Sequence, residues 1–499
     1  MVEMTLASLE ALVGYWWLVP VGVAVGIFIG AVPGFSSTNI LIMLLPLTLG
    51  MESGPAMAFM VSVYSGSHMG GSIPAILFNV PGTGAAAATC FDGYPMTQQG
   101  RGQEALAIAF FASAIGGLMT TLITWGCLPY LSRIVYYFGS IENFVIILFG
   151  VALIGQITGG NQFKGLIAGF VGLLIGAIGY DHVYSVPRAT FGIVELFDGV
   201  PRISAIVGLF AISEAFRMIE KDTVIDTSRL QSVLKEGWQG TWRGCINSIK
   251  HFGAVVRSAF IGFIIGVIPG AGATIGSFVS YQQAVTLSKN KEEFGKGSVE
   301  GVIAAEAANN GVTSGSLIPL LTLGIPGGGT AAVMMVVLQA HGVPMGPRLF
   351  QVMPQLAYGV VVAMLVAYIF MVVMGLPLAK SLAKMSLIST KILVPVIISF
   401  TLVGAFVERR YIFDMWLALG FGVLGYILKQ TGYSPHALLL GVILGPMAEQ
   451  YFLRALLLGN ENPMILFSRP LANALWVLLA ISVFSPIVLA KMRRRKQTK

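Results

Sequence analysis

Long runs of apolar residues recur along the whole chain and are separated by short polar segments. A helix needs about 20 apolar residues to cross the hydrocarbon core of a membrane, and most of these runs reach or approach that length. Several are interrupted by proline or glycine, so the pattern predicts an all-α, polytopic integral membrane protein with about 11–14 transmembrane or re-entrant helical segments. The runs are 15–32, 105–130, 144–157, 165–179, 203–216, 259–279, 312–339, 356–374, 392–407, 415–428, 437–447 and 472–489.

The composition indicates a surface that faces lipid. Of the 499 residues, 56% are hydrophobic and only 10% are charged, whereas soluble proteins average about 25% charged residues. The mean hydropathy is +0.82. The three cysteines show no metal-binding spacing, and no cofactor is expected. The sequence contains no H-E-x-x-H, P-loop or G-x-S-x-G motif, so it predicts neither ATP hydrolysis nor another enzymatic activity.

Charged residues near the two ends of the chain predict how it lies in the membrane. The first 13 residues hold Glu3 and Glu10 but no basic residue. We therefore expect the run 15–32 to be a retained helix and not a cleaved signal peptide. The basic cluster Arg493–Lys496 predicts a cytoplasmic C-terminus by the positive-inside rule.

A second basic region lies in the middle of the chain, at 217–257, and holds seven Lys and Arg residues. We interpret it as a cytoplasmic connection that contains helices at the membrane interface, where Trp238 and Trp242 fit. A plain solvated linker is the alternative. The net charge of +8 is explained by such loops, so the lipid bilayer and not nucleic acid is the expected charged partner.

Three motifs recur in the same order in the second half of the chain. Self-similarity of this kind predicts two related halves. Gly26–Gly34 and Gly262–Gly270 share five of nine residues at an offset of 236 positions. The other pairs are Asn79–Thr83 with Gly324–Gly328, at an offset of 245, and Asp92–Met96 with His341–Met345, at an offset of 249.

The loops of the two halves differ in charge. Ser288–Gly297 holds three lysines, whereas the matching segment Gly50–Pro55 holds no basic residue. Because basic loops favour the cytoplasmic side, this contrast predicts halves of opposite orientation. Inverted repeats with broken helices are a recurrent plan of secondary transporters.

Each half also contains two Pro-Gly pairs within apolar sequence. Proline removes a backbone donor and glycine relaxes the backbone, so each pair predicts a helix break. Breaks at membrane depth are tolerated where they are buried in protein or line a watery cavity. Packing kinks without a ligand are the alternative. The pairs are Pro33-Gly34, Pro81-Gly82, Pro269-Gly270 and Pro326-Gly327.

Short, uncharged polar residues surround these breaks and are the candidates for ligand binding. Freed N–H groups at a helix N-terminus attract anions, and freed carbonyl and hydroxyl oxygens can coordinate a small cation. The substrate-binding candidates are Ser36, Ser37, Asn79, Pro81, Gly82, Thr83, Thr274, Pro326, Gly327 and Gly328. The ion-binding candidates are Thr38, Asn39, Glu306, Asn309 and Asn310.

Glu306 is the most prominent ionisable residue at membrane depth. Such residues are functional candidates by default, and Glu306 and Asn310 are spaced to share a helix face. They could form an ion or proton site. Alternatively, the segment begins at the interface and Glu300 is solvated. His68, in the matching part of the first half, could titrate, but a lone histidine is more often a structural hydrogen-bonding residue. Asp92 is expected in an interface loop.

The motifs quoted above resemble those of the large permease subunit of the tripartite tricarboxylate transporters. The resemblance rests on Gly30–Gly34, Asn79–Thr83, Asp92–Met96, Ile268–Thr274, Glu306–Asn310 and Leu323–Gly327, and it covers most of the chain. It implies a bacterial inner-membrane protein that works with a small four-helix membrane subunit and a periplasmic solute-binding protein. It further implies uptake of citrate or other carboxylates, driven by a Na⁺ or H⁺ gradient, and an elevator mechanism.

The expected organisation has four segments. Residues 1–216 form the first repeat, 217–257 the connection, 258–410 the second repeat, and 411–499 C-terminal helices with a basic tail. A passive anion channel and a membrane scaffold that transports nothing are the alternative functions, because broken helices with small polar residues would suit either.

Overall fold

The computed structural model describes residues 2–32, 35–135, 137–157, 162–180, 186–220, 230–382 and 390–481. Pro33-Gly34, the first expected helix break, and the basic cluster Arg493–Lys496 lie outside these ranges. Most of the described chain is helical, and a short antiparallel pair of strands, β1 (Gly179–Tyr180) and β2 (Pro187–Arg188), interrupts it. The prediction of an all-α membrane protein is confirmed at this level.

The helices group into two compact units. Unit 1 comprises Met1–Ser132 and Ala215–Thr401, and unit 2 comprises Arg133–Glu214 and Leu402–Lys499. The four-segment organisation expected from the sequence stays a prediction. In chain order the helices are α1 Val2–Val13, α2 Leu18–Gly30, α3 Ser37–Leu49, α4 Ser53–Phe78, α5 Cys90–Gln98, α6 Gly102–Val135, α7 Ser140–Ile157, α8 Gln162–Gly176, α9 Arg202–Ile206, α10 Ser213–Glu220, α11 Leu230–Lys250, α12 Phe252–Val267, α13 Gly272–Leu287, α14 Val299–Leu323, α15 Gly329–Ala340, α16 Pro347–Val352, α17 Pro354–Leu382, α18 Thr390–Arg409, α19 Ile412–Gln430 and α20 Pro435–Leu458.

Four helical stretches of the described chain are long and apolar enough to cross a membrane, or six if each of two bent pairs counts as one span. Five further apolar helices are shorter. The chain is therefore multi-pass, while the expected 11–14 segments stay a prediction. The four stretches are Gly102–Leu131, Pro354–Gly375, Ile412–Gln430 and Pro435–Leu458, and the bent pairs are Glu3–Val13 with Leu18–Gly30 and Gly237–Lys250 with Phe252–Val267.

The basic region in the middle of the chain is partly helical. α11 turns by 75° into α12, and Trp238 and Trp242 are each 70% exposed on α11. A helix with two exposed tryptophans fits the membrane interface better than a solvated linker does. Lys221 and Arg229, two of the seven basic residues, lie outside the described ranges.

Two of the apolar runs are broken, as the Pro-Gly pairs predict. The run 259–279 is divided between α12 and α13, and the run 312–339 between α14 and α15. α4 and α14 end in the same way. Each has a proline in its last turns, and each is followed by a left-handed residue, Asn79 (φ 57°) in one case and Gly324 (φ 68°) in the other. A left-handed residue commonly closes a helix C-terminus.

Unit 1 is centred on two helix pairs, α2 with α4 and α12 with α14, and glycines allow each pair to pack closely. A Cβ atom on Gly26 would lie 2.4 Å from the Val63 carbonyl oxygen, and one on Gly262 would lie 2.2 Å from that of Ala308. From the other helix of each pair, a Cβ on Gly66 of α4 would lie 2.5 Å from a carbonyl oxygen of α2, and one on Gly311 of α14 would lie 2.4 Å from a carbonyl oxygen of α12. Small residues at membrane-helix interfaces permit this approach.

The contacts of the first helix pair therefore recur in the second. Positions in α12 lie 236 residues after their counterparts in α2, and positions in α14 lie 245 residues after their counterparts in α4. These are the offsets at which the sequence motifs repeat. α4 and α14 are buried along their whole middle parts, from Ala56 to Leu77 and from Gly301 to Thr322. Their serines, glycines and asparagines are thus shielded from lipid by neighbouring helices.

Unit 2 combines glycine packing with ion pairs. A Cβ on Gly172 of α8 would lie 2.1 Å from the Leu438 carbonyl oxygen of α20. A six-residue π-helix, Val207–Ile212, packs on α19. The ion pairs are Arg409 with Asp414, Lys429 with Glu214, Arg188 with Glu449 and Arg469 with Glu142.

Candidate functional site

The first part of the site is a contact between α3 and α15, one helix from each half. Ser36 is the N-cap of α3, and its hydroxyl accepts a hydrogen bond from the Asn39 backbone N–H at 3.3 Å. The hydroxyls of Thr38 and Thr330 lie 3.1 Å apart. The Ser37 hydroxyl is buried and has no hydrogen-bond partner among the described residues. Because this buried hydroxyl has no hydrogen-bond partner and lies beside the N-termini of two helices, a ligand can bind to it.

The matching contact joins α13 to the 3₁₀ turn Gly84–Ala87. Thr83 is the N-cap of this turn and accepts from the Ala86 N–H. A Cβ atom on Gly84 would lie 2.8 Å from the Thr274 hydroxyl. Thr274 occupies in α13 the place that Thr38 occupies in α3. Each half thus contributes one threonine that contacts the other half. The contacted segment is in both cases the one that follows the second Pro-Gly pair of that other half.

Gly82 and Gly327 lie at matched positions where only glycine fits. A Cβ on Gly82 would lie 2.6 Å from the Gly30 carbonyl oxygen, and one on Gly327 would lie 2.7 Å from Ser316 Cβ and 3.0 Å from the Gly266 oxygen. The backbone between the helices is itself hydrogen-bonded, from Gly82 N–H to Gly71 and from Gly270 N–H to Gly327.

The helix starts of the two halves form one continuous cluster. Gly328 precedes α15, and a Cβ on it would lie 3.5 Å from Gly272 Cα, at the start of α13. Thr330 joins this pair to α3, and Thr274 joins it to the turn at Gly84. Neither α13 nor α15 has a side-chain cap at its N-terminus, so their first N–H groups have no such acceptor.

A second polar cluster lies in the middle of α14. Glu306 is fully buried, with a relative exposure of 0%. Its two carboxyl oxygens accept hydrogen bonds from the Thr89 hydroxyl, which lies between the 3₁₀ turn and α5, and from Ser113 on α6 at 2.8 Å. Glu300, for which solvation at the interface is the alternative, has a side chain that is 29% exposed and lies 4.0 Å from His251.

The two asparagines of α14 have different partners. The Asn309 side-chain oxygen lies 2.5 Å from His68 Nδ1 on α4, so Nδ1 carries the proton and donates it. Tyr368 of α17 donates to the Asn310 backbone oxygen and contacts the Thr313 hydroxyl. Among the described residues, His68 Nε2 and the side-chain nitrogens of both asparagines have no hydrogen-bond partner.

Comparison with known proteins agrees with this architecture. The sequence model of the tripartite tricarboxylate transporter TctA family matches residues 17–440. The chain belongs to the TctA family. A 52.8 kDa protein from the region 3′ of ttuC′ in TAR-I of Agrobacterium vitis is 34% identical over 457 residues, which are 91% of this chain and 89% of that protein. A protein from the corresponding TAR-II region is 34% identical over 236 residues, 47% of this chain and 98% of that protein.

TctA proteins form a family of transporter components and not of enzymes, so the expected class of function is confirmed at that level. Within this TctA chain the predicted ligand residues fall into two places. Thr38 and Asn39 lie on α3, whereas Glu306, Asn309 and Asn310 lie on α14, and no hydrogen bond of the described residues joins the two groups. Glu306 and Asn310 share α14 but have different neighbours.

Not every predicted substrate residue points to a ligand. Asn79 is the exposed left-handed cap of α4, and its backbone conformation explains its presence there. Pro81 and Pro326 each lie three residues after the end of a helix, α4 in one case and α14 in the other. Ser36 caps α3 through its side chain. Among these candidates, Ser37, Thr274 and Gly328 remain best placed to contact a bound molecule.

Sequence reasoning missed Thr89, Ser113 and Tyr368, which supply the partners of α14. It also expected Asp92 in a loop, which is wrong, because Asp92 lies in the first turn of α5 and is fully buried. One Asp92 oxygen accepts from the backbone N–H groups of Gly295, Gly297 and Ser298, and the other accepts from the Tyr281 hydroxyl. The repeat pairs Asp92 with His341, and this pairing could have indicated a shared structural role. The His341 ring likewise hydrogen-bonds to the other half, at the carbonyl oxygens of Thr48 and Met51.

Proposed function

We propose that this chain is the large permease subunit of a secondary active transporter that imports organic carboxylates. The observation that carries the proposal is the cluster of helix N-termini from both halves, at α3, α13 and α15. Each N-terminus presents backbone N–H groups and a partial positive charge, which favour an anion. Family membership supports transport as the class of function.

Recognition in this site would rest on N–H groups and hydroxyls. No Lys or Arg is among the predicted substrate residues, so a bidentate salt bridge is not part of the proposal. Ser37, with its buried open hydroxyl, and Gly328, at the uncapped start of α15, would contact the carboxylate. Dicarboxylates and tricarboxylates, citrate among them, present several such groups.

The mechanism we propose is an elevator of inverted repeats driven by a Na⁺ or H⁺ gradient. The three Pro-Gly pairs in the described part of the chain lie within unit 1. Unit 1 would be the moving transport core, and unit 2 would be the scaffold. The matched contacts of α2 with α4 and of α12 with α14 support the repeat. The partners would be a small four-helix subunit and a periplasmic binding protein, in the inner membrane of a bacterium with the C-terminus cytoplasmic.

The test is uptake into vesicles that contain this chain together with its neighbouring membrane subunit and binding protein. A panel of labelled citrate, other tricarboxylates and dicarboxylates is offered with and without Na⁺ and pH gradients. We expect saturable uptake that needs the binding protein and a gradient. Uptake indifferent to both would indicate a channel and would contradict the proposal, and so would the absence of uptake for every acid in an intact complex.

A matched pair of variants tests the site itself. Gly328→Val fills the gap between the starts of α13 and α15, where the nearest atom leaves room for a side chain. Gly126→Val adds the same side chain to α6, where nothing lies within 4 Å. We expect uptake to fall at least about tenfold in the first variant, equivalent to about 1.4 kcal/mol of binding, and to stay unchanged in the second. Equal uptake by both would show that the helix starts do not bind substrate.

A further inference from the structure

Glu306 combines complete burial with an unusual set of neighbours. Its exposure is 0%, and the polar side chains next to it are all neutral: the hydroxyls of Thr89 and Ser113, which donate to it, and the Asn309 amide. No ion pair joins it to a Lys or Arg in the described part of the chain. An unpaired carboxylate is costly to hold away from water, and neutral hydrogen-bond donors only partly compensate for that cost. The site as built therefore favours the neutral acid.

In the described chain, the hydroxyl oxygens of Thr89 and Ser113 are the oxygen atoms that hydrogen-bond to Glu306. A Na⁺ ion needs several oxygen ligands with free lone pairs. The two amides within a turn have other partners for their side-chain oxygens, since that of Asn309 lies against His68 and that of Asn310 lies 3.5 Å from the Tyr368 hydroxyl. The remaining residues within a turn are aliphatic, namely Val302, Ile303, Ala304, Ala305, Ala307 and Ala308. Among the described residues, no group of three or more His, Cys, Asp or Glu forms a metal site. One proton needs only the carboxyl group.

The other ionisable groups on the surrounding helices have partners of their own or lie elsewhere. His68 on α4 binds Asn309, Asp92 on α5 binds Tyr281 of α13, and Tyr368 on α17 binds Thr313. Cys90 on α5 lies close enough to Glu306 to interact with it electrostatically and is uncharged as a thiol. The Tyr64 hydroxyl of α4 lies against Ser316. Further ionisable groups on these helices include Glu104 on α6, which pairs with Arg101 and lies near Arg243 of α11, Glu300 on α14, His251 at the bend between α11 and α12, Arg257 on α12 and Arg348 on α16.

Thr89 connects this carboxyl group to the substrate cluster. It follows the 3₁₀ turn whose Gly84 touches Thr274, and it precedes Asp92, whose carboxylate holds the loop before α14. An ionised Glu306 accepts from both hydroxyls, whereas a protonated Glu306 must donate to one of them. A change of protonation therefore reorganises the hydrogen bond to the segment that carries the turn.

We propose that Glu306 binds the proton that drives transport, and that Thr89 links its protonation to the turn Gly84–Ala87 at the substrate cluster. This rests on the proposed function, because it names the coupling ion of the same transporter. The step is a simple exchange, in which the carboxylate takes a proton from one side of the membrane and releases it on the other.

The first test compares Glu306→Gln with Glu300→Gln, a matched control on the same helix. Glutamine imitates the protonated acid but cannot release a proton. In vesicles with the complete complex and labelled citrate or another transported acid from the panel, we expect Glu306→Gln to lose accumulation driven by a pH gradient by about tenfold or more. It should keep exchange of internal for external substrate, which needs no net proton movement. Glu300→Gln should keep both.

Two outcomes of that test would overturn the inference. One is pH-driven accumulation by Glu306→Gln at the level of the unaltered chain. The other is accumulation in the unaltered chain that follows a Na⁺ gradient and ignores the pH gradient. In either case the transporter proposal would stand, because uptake itself would have been measured.

The second test needs no transported substrate. Infrared difference spectra of the purified full chain between acidic and alkaline pH should show the C=O band of a protonated carboxylic acid that Glu306→Gln lacks and Glu300→Gln retains. Thr89→Val should shift that band, because it removes one hydrogen bond. If the band persisted unchanged in Glu306→Gln, the proton site would be elsewhere. If the complex transported no acid, the proposed function would fail and with it the coupling role, and this spectrum would still show whether Glu306 binds a proton.

Discussion

The two halves of unit 1 share their packing but not their chemistry. In the first half α2 packs on α4, and in the second α12 packs on α14, through glycines at matched positions. Pro74 and Pro319 lie in the last turns of α4 and α14, and a left-handed residue follows each helix. Yet Glu306 has Val61 at its matched position, and Asn309 has Tyr64.

This difference separates two requirements of a transporter. A substrate held between the halves can use the same backbone geometry from each, so that geometry recurs. A coupling ion needs one titratable or coordinating group, and a second copy would add the cost of another buried charge. The repeated parts are therefore the helix starts and glycine contacts, and the parts found once are Glu306 and its hydroxyl partners.

The largest expected effect tests the shared packing. Gly26→Ala and Gly262→Ala each place a Cβ within 2.4 Å of a backbone oxygen on the partner helix. We expect both to lower the free energy of unfolding by about 3 kcal/mol, the upper part of the range for overpacked cores. Thermal unfolding and yield of the purified chain measure this.

Gly126→Ala is the control for these variants, since its Cβ would meet nothing within 4 Å. It should be neutral or slightly stabilising, because alanine favours helix over glycine by up to about 1 kcal/mol. If only one of the two packed glycines were sensitive, the halves would not be equivalent.

An intermediate effect is expected at Asp92 and His341, each of which hydrogen-bonds to backbone groups of the other half. Asp92→Asn weakens three hydrogen bonds to a buried charged group and should cost about 1.5–3 kcal/mol. His341→Gln affects a half-buried ring bonded to Thr48 and Met51, and should cost about 0.5–1.5 kcal/mol.

Unfolding temperature is the measurement for both, and Glu292→Gln, an exposed residue near the Asp92-bound loop, should change stability by less than about 0.5 kcal/mol. A larger loss for His341→Gln than for Asp92→Asn would reverse the ranking that burial predicts.

The smallest effect tests whether Tyr64, the residue of the first half that matches Asn309, takes part in coupling. Tyr64, matched to Asn309, has its hydroxyl 3.3 Å from that of Ser316, a long hydrogen bond. Tyr64→Phe should cost about 0.5–1.5 kcal/mol and leave uptake unchanged, whereas Tyr137→Phe, at an exposed position, should leave both unchanged. A folded Tyr64→Phe protein with strongly reduced uptake would show that the Tyr64 hydroxyl takes part in transport.

Much of the fold could be predicted because membrane helices and their breaks depend on local sequence. The apolar runs and the Pro-Gly pairs placed the ends of α12, α14 and the start of α15 within a few residues. α4 was the main omission, since its serines and glycines disguise a helix of 26 residues. Small polar residues interrupt its apolar pattern, and they are buried because neighbouring helices shield them.

The sequence by itself determined the membrane character, the helix breaks, the matched motifs and the resemblance to a family, because each depends on residues close together in the chain or on an internal comparison. The tertiary structure alone decided which polar groups meet. Thr89 and Ser113 are 217 and 193 positions away from Glu306, and Asp92 is more than 200 positions from the backbone N–H groups that it binds. Helix periodicity states which side chains share a face, but the neighbour of that face depends on how all the helices pack. Burial of Glu306, and hence its chemistry, follows from that packing.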